Sequence, residues 1–447
     1  MLMLGPAAQA QLALGGPPLR GLPGGLPGGL PGGLGLPMGT QDSLGALGDD
    51  ADRLEDLRTA RLRYVRQLLR RHADVLEADP NGNPIVRGEV LAFSPTAAAL
   101  ARALGAGFTV VRASILAALG VRIVVLGAPR HTATRRALDL LRRLDPGGTY
   151  DYNNIYTDSG TTAAHGAVPA AAGAAPTGES RIQLGLIDGG VATAQQVFHG
   201  TAIHQHGCGG AAVPSAHGTE VASLMVGRAA RFGGAAPGAT LFAADVYCGK
   251  PTGGAVDAIA DALAWLAVRQ VQVINISLVG PPNALLQQVV ERMVGRGFLI
   301  VAAVGNDGPA APPLYPAAYP GVVGVTAVDG RRRVIFEAER GPQVMFAAPG
   351  ADIVAAALSG GFESVRGTSF AAPLVAGLLA ERLQAVARGR DPSPLPGVVP
   401  TAAQAAIDAL VRTAVHIGAP GRNIVYGYGL VGASLPSARP ASSEYVK

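Results

Sequence analysis

The sequence predicts an α/β fold, a doubly wound and mostly parallel sheet with helices on both faces, preceded by a small α+β domain. Three observations carry this expectation. After Arg181 near-continuous apolar runs recur, as in strands buried on both faces. Helical periods alternate with those runs, which is the signature of strand-helix-strand units. Residues 84–155 instead hold shorter strand and helix patterns of their own, as in an antiparallel sheet with helices on one face.

Composition permits this. Of 447 residues, 49% are hydrophobic, 15% are charged and 62 are Gly, which favours packed small side chains over a disordered polar chain. The net charge of +5 comes almost wholly from Arg, since Lys250 and Lys447 are the only lysines. No Arg-rich stretch is interleaved with aromatics, so the charge reads as solvated helix faces and no nucleic-acid partner is expected. No transmembrane segment is expected either, because no run reaches about 18 consecutive apolar residues.

The chain divides in order. Residues 1–48 read as a signal remnant, with the small-x-small pattern Ala8-Gln9-Ala10, followed by a flexible leader repeating Leu-Pro-Gly-Gly at Leu22, Leu26 and Leu30. The sequence start is therefore expected to lie inside a longer signal, which implies a secreted or periplasmic protein. Residues 49–83 read as a basic amphipathic helix, with Leu54, Leu57, Val65, Leu68 and Leu69 near helical spacing.

In 84–155 the expected elements are strand Ile85–Phe93, helix Pro95–Gly105, strand Phe108–Arg112, strand Val121–Leu126 and helix Thr132–Leu144. Residues 156–180 read as an Ala/Gly/Pro-rich linker open to cleavage. In 181–433 the expected strands are Ile182–Asp188, Leu241–Val246, Val271–Leu278, Phe298–Val304 and Val322–Val328. Helices are expected over Gly218–Gly227, Ala255–Val268, Leu285–Gly295, Phe370–Ala387 and Thr401–Val411. Residues 434–447 read as a tail.

In such a sheet, chemistry collects at the carboxyl ends of the strands. Asp188 ends the first run in Gly-Leu-Ile-Asp-Gly-Gly, His217 opens a helix in His-Gly-Thr-Glu-Val-Ala, and Asn306 ends a strand in Val-Gly-Asn-Asp-Gly. Ser369 stands at a loop-to-helix turn in Gly-Thr-Ser-Phe-Ala-Ala-Pro. Singly, these residues read equally well as a strand cap, a helix start, a turn residue and a helix N-cap. Jointly they are an inventory for acyl transfer. A serine hydroxyl attacks poorly unless an imidazole takes its proton, and the imidazole needs a carboxylate to fix its tautomer.

These four blocks, in the order Asp, His, Asn, Ser, closely resemble the subtilisin-like serine peptidases. The resemblance covers Arg181 to Gly432. It implies Asp188 as orienting acid, His217 as general base and acid, Ser369 as nucleophile and Asn306 as oxyanion donor. It also implies endopeptidase action on polypeptides, and a substrate-pairing edge at Ser277, Leu278, Val279 and Gly280 facing Ala303, Val304 and Gly305. The family usually has glycine at Val279, so the primary pocket is expected to be narrow and to favour small or medium apolar residues. A Gly-x-Ser-x-Gly hydrolase is excluded by motif and order. A catalytically silent module and an esterase on the same triad stay open.

The resemblance further makes 84–155 similar to propeptides that act as intramolecular inhibitors, with self-cleavage expected between Ile155 and Ser180. No cofactor is required by this chemistry. Structural calcium is not supported in the loop after His217, since Val221–Ala244 contains no Asp, Glu or Asn. His199, His204, His206 and Cys208 could be drawn as a zinc site, but their spacing favours a metal-free surface loop. Cys208 and Cys248 are the only cysteines, and the resemblance places both near the cleft as a disulfide candidate.

Overall fold

The pattern of residues 84–155 folds as expected, into an antiparallel sheet carrying two helices. Helix α1 (residues 59–71) leads into β1 (Leu76–Ala78) and β2 (Pro84–Phe93). There follow α2 (Ala97–Gly105), β3 (Thr109–Leu116), β4 (Val121–Gly127), α3 (Thr134–Leu144) and β5 (Thr149–Asp158). Thr96 caps α2 by accepting from the Ala99 N–H at 3.1 Å. One face of the sheet buries Val90, Ala92, Val124 and Leu126 against Ala103, Leu138 and Leu141 of the two helices. The other face, with Leu91, Ile123 and Val125, packs into the core of the second domain.

The structure is a computed structural model describing residues 57, 59–158, 161–168, 182–230, 232–389 and 401–438. These belong to a unit spanning Asp52–Lys447; the leader and the signal expectation fall outside the described residues. After β6 (Thr161–Val168) the second domain begins with β7 (Gln183–Asp188), β8 (Ile203–Gly207), α4 (Ala216–Val226) and β9 (Thr240–Asp245). It continues through β10 (Gly254–Ala255), α5 (Val256–Val268), β11 (Val273–Ile276), β12 (Leu278–Val279), α6 (Ala284–Gly295) and β13 (Leu299–Ala303). The last elements are β14 (Val323–Val328), β15 (Val344–Pro349), β16 (Ala351–Ala356), β17 (Phe362–Arg366), α7 (Thr368–Ala387) and α8 (Ala402–Thr413).

Seven strands form the central parallel sheet in the order β15-β14-β13-β11-β7-β9-β8. Strand order reverses beside β7, the switch point at which such sheets bind ligands. Helix α7 is long and apolar enough by length and composition to cross a membrane. Here it is the core helix, with Phe370, Leu374, Val375 and Leu379 fully buried among residues of the central strands.

Three expectations differ from the structure. Of the basic helix expected over 49–83, residues 49–56 and 58 lie outside the described residues; the helix is described over 59–71, and Leu76–Ala78 instead pairs with Pro84–Val86 as β1. The linker expected from 156 is ordered at its start: β5 continues to Asp158, and Thr161–Val168 pairs with β17. Both stretches are extended because distant edges supply their hydrogen bonds. Strands β8 and β15 to β17 are not among the expected elements; they are short and polar, Ala-rich or interrupted, and pair with neighbours in the fold.

The two domains are joined by polar pairs that use helix starts. The Arg112 guanidinium donates to both Glu89 oxygens at 2.7 Å and to Asp257 Oδ2 at 2.6 Å, while Asn153 Nδ2 donates to Glu89 and Asp257. Asp257 lies in the first turn of α5. The Asp151 carboxylate accepts from the Ala284 N–H at 2.7 Å at the start of α6, where negative charge is favoured.

Candidate active site

Asp188 emerges at the carboxyl end of β7, fully buried, with Oδ1 accepting from the Gly189 N–H at 2.7 Å. His217 stands in the first turn of α4, which Ser215 starts by accepting from the Gly218 N–H at 3.0 Å. The loop and the strand end meet, so that Asp188 Oδ2 lies 2.9 Å from His217 Nδ1. This pair fixes the ring with Nε2 on the far side. Burial alone would lower the imidazole, but Asp188 beside it, with Asp158 and Glu220 farther off, raises it to about 9.

Ser369 occupies the first turn of α7 and is fully buried. Pro373 follows four residues on. Lacking an N–H, it cannot return the usual bond to the Ser369 carbonyl, and the Ser277 hydroxyl donates to that oxygen instead at 2.8 Å. Asn275 Nδ2 in turn donates to Ser277 Oγ at 2.9 Å. A strand-end pair thus positions the start of the helix. His217 Nε2 and Ser369 Oγ are both buried without a hydrogen-bond partner. The Asp–His half of the expected triad is made, and the His–Ser bond is not. Such bonds often tighten only in the substrate complex.

Asn306 follows β13 through Val304 and Gly305. Its Oδ1 accepts from the Thr368 N–H at 3.1 Å, and the Gly305 N–H donates to Thr368 Oγ1 at 3.2 Å. With the acceptor end held, Nδ2 is left as the donor end.

The expected substrate edge is already occupied by the chain itself. Strand β5 runs between β10 and β12, antiparallel to both: Tyr156 and Ile155 lie opposite Gly254 and Ala255, and Asp158 and Thr157 lie opposite Leu278 and Val279. Tyr156 is fully buried and its hydroxyl donates to the Pro281 carbonyl at 2.6 Å. A Cβ on Gly280 would lie 2.7 Å from the Tyr156 ring, so glycine is required for this approach. Ala303, Val304 and Gly305 are buried across from this edge. Asn275, Tyr156 and Asp158 are site residues that the sequence reading did not single out.

Cys208 and Cys248 form a disulfide, with S–S 2.19 Å and Cα–Cα 5.1 Å, tying the end of β8 to the loop after β9. Among the described residues, the one cluster with metal-ligand chemistry is Cys208, Asp245 and Cys248, and its sulfurs are bonded to each other. The imidazoles of His204 and His206 stack on Phe242 and Trp265, each at 4.8 Å.

A profile described as the subtilase family matches residues 210–429. Subtilisin BL of Lederbergia lenta is 34% identical over 216 residues, covering 47% of this chain and 79% of that protein. The chain belongs to the subtilase family. Minor extracellular protease Epr of Bacillus subtilis (strain 168) is 30% identical over 237 residues, 52% of this chain and 35% of its own length. The chain spans 56% of M-protease of Shouchella clausii (strain KSM-K16), at 34% identity over 216 residues, 47% of this chain. Among solved structures, fervidolysin from Fervidobacterium pennivorans, described as a keratinolytic enzyme related to subtilisin, superposes with TM-score 0.62 at 19% identity. That match covers 80% of this subtilase and 62% of fervidolysin, and it shows the fold.

Proposed function

We propose that this subtilase is a serine endopeptidase made as a self-inhibited precursor. The observation that carries the reading is the antiparallel pairing of Thr157 and Asp158 with Val279 and Leu278, which seats a polypeptide strand on the edge beside Ser369 and His217. An esterase pocket has no use for a strand-pairing edge, and a silent module has no use for an aligned Asp188–His217 pair.

In the reaction, His217 Nε2 takes the Ser369 proton as Oγ adds to a peptide carbonyl. Asp188 holds the imidazole and stabilises its charged form. Asn306 Nδ2 and backbone N–H groups at the start of α7 receive the oxyanion. His217 then gives its proton to the leaving amine, and water repeats the sequence on the acyl-enzyme. No cofactor enters these steps.

Latency follows from the same residues. With β5 in place the edge is filled, and Asp158 at its end adds a negative charge that favours the protonated imidazole of His217. Self-cleavage would fall shortly beyond Asp158, within 155–180. The disulfide fits an oxidising compartment, in keeping with export. The test is intact mass of the purified full chain over time, with casein and a simple ester assayed alongside. Two fragments joined near that position, and casein turned over, are expected; a chain that stays whole and cleaves only the ester would overturn the reading.

A further inference from the structure

Helix α1 precedes the small sheet domain and has no part in the proposed reaction, yet it touches the strand lying in the cleft. Side chains alternate along β5, so Tyr156, which enters the second domain and bonds to Pro281, leaves Ile155 and Thr157 on the opposite face. A peptide held only by β10 and β12 would show that face to water. Here both residues are buried, at 4% exposure each. Gly253 supplies part of the cover, since a Cβ on it would lie 2.9 Å from Ile155 and 3.2 Å from Thr157. Helix α1 supplies the rest.

Leu68 of α1, itself buried, packs in one cluster with Leu76 and Ile155, and Leu69 of α1 and Ala255 of β10 lie against that cluster. Two turns earlier, about 10 Å along the helix, Arg61 donates from Nη1 to Thr157 Oγ1 at 3.3 Å and sets Nε 3.4 Å from Asp307 Oδ2. The helix thus meets β5 at two places and finds the second domain beside each, Ala255 at one end and Asp307 at the other. Asp307 is a firm anchor. It follows the turn at Gly305, whose carbonyl accepts from the N–H of the fully buried Glu339 at 3.1 Å.

Resting on the peptidase reading, we propose that α1 is a strap that fastens β5 in the cleft from its outer face, through Leu68 on Ile155 and through Arg61 between Thr157 and Asp307. Edge pairing alone cannot favour the chain's own tail, because any substrate strand makes the same backbone hydrogen bonds to β10 and β12. The strap adds contacts that no substrate strand has. After the bond beyond Asp158 is cut, these contacts keep the tail seated, and the edge opens to substrate only when α1 lets go. Leu68 is the stronger fastening, since it is buried, whereas the Arg61–Asp307 pair is about a quarter exposed on both sides and is screened by water.

The test follows the full chain by intact mass and by casein turnover in the same samples. In the parent, casein turnover is expected to trail the cut. Leu68→Ala is expected to shorten that interval by at least about tenfold. Arg61→Ala, which leaves the packing intact and breaks only a part-exposed pair, is expected to shorten it about two- to fivefold. Turnover rising in step with the cut in the parent, or an interval unmoved by Arg61→Ala, would overturn the proposal; should Leu68→Ala not fold, Arg61→Ala still decides. A second arm needs no hydrolysis. In the Ser369→Ala precursor, hydrogen exchange of peptides covering Ile155–Asp158 is expected to quicken by the same factors when either substitution is added, with α4 unmoved. Equal protection of β5, or exchange quickened as much in α4, contradicts the strap. Quickened exchange confined to β5 with no casein cleaved in the first arm sinks the peptidase reading and leaves the strap standing.

Discussion

The Thr368 N–H donates to Asn306 Oδ1 at 3.1 Å, so the asparagine meets the helix that carries Ser369 with its acceptor already taken. On the proposed mechanism the amide then has its donor end left for the oxyanion. Preorganised donors of this kind act mainly on the transition state. Asn306→Ala is expected to lower kcat by about 10²–10³-fold with KM little changed. Steady-state kinetics on one peptide checks this, and a loss confined to KM would assign Asn306 to ground-state binding.

The four polar residues of the site were legible because each sits in a short motif whose small neighbours serve the same backbone approach. Asp188, His217, Asn306 and Ser369 could be placed on strand ends and helix starts before any contact was known. Asn275 and Glu339 were not legible. Each acts through a partner remote in sequence or hidden by burial, Asn275 through Ser277 to the Ser369 carbonyl, and Glu339 against Gly305. The continuation of β5 to Asp158 was hidden for a related reason. Its hydrogen-bond partners, Gly254–Ala255 and Leu278–Val279, lie far along the chain, and local composition resembled a linker. His204 and His206 read as part of a metal-free loop, and what the sequence did not show is that Phe242 and Trp265 lie against them.

Tyr156 anchors the strand in the cleft, fully buried and bonded to Pro281. Tyr156→Ala removes a large buried ring, a change that typically costs about 3–5 kcal/mol. In a precursor held whole by Ser369→Ala, the variant is expected to expose β5 to an added protease well before the parent. Equal protection in limited proteolysis would show that other contacts hold the strand.

Asp158 is the tail residue whose charge helps hold His217 at about 9. Self-cleavage needs the neutral imidazole, so its rate is expected to rise with pH toward that value. Asp158→Asn withdraws a negative charge that stabilises the imidazolium, so the midpoint of the profile moves to lower pH. Intact-mass time courses across pH measure this. A midpoint that stays put or climbs would remove Asp158 from the account of latency.

Burial, then Asp307, holds the Glu339 carboxyl at about 9 in the folded chain, well above the usual carboxylate range near 4.5. Its folded pKa is raised, so its favourable contribution is full below about 4.5 and is lost as pH rises toward 9. The unfolded chain gives up the proton first, and the slope is at most about 1.4 kcal/mol per pH unit. Denaturant unfolding of the Ser369→Ala precursor should show stability falling across this window, and Glu339→Gln should flatten the fall. His217, also raised, adds the same sign only between about 6.5 and 9, so the window below 6.5 isolates Glu339. Parallel curves for the two proteins would contradict a buried neutral acid.

The nucleophile is tested most directly by covalent capture. The self-processed chain is treated with a fluorophosphonate, digested and mapped by mass spectrometry. The account predicts a single adduct on Ser369, lost in Ser369→Ala and strongly slowed in His217→Ala. No adduct on processed protein, or an adduct on another serine, would contradict it.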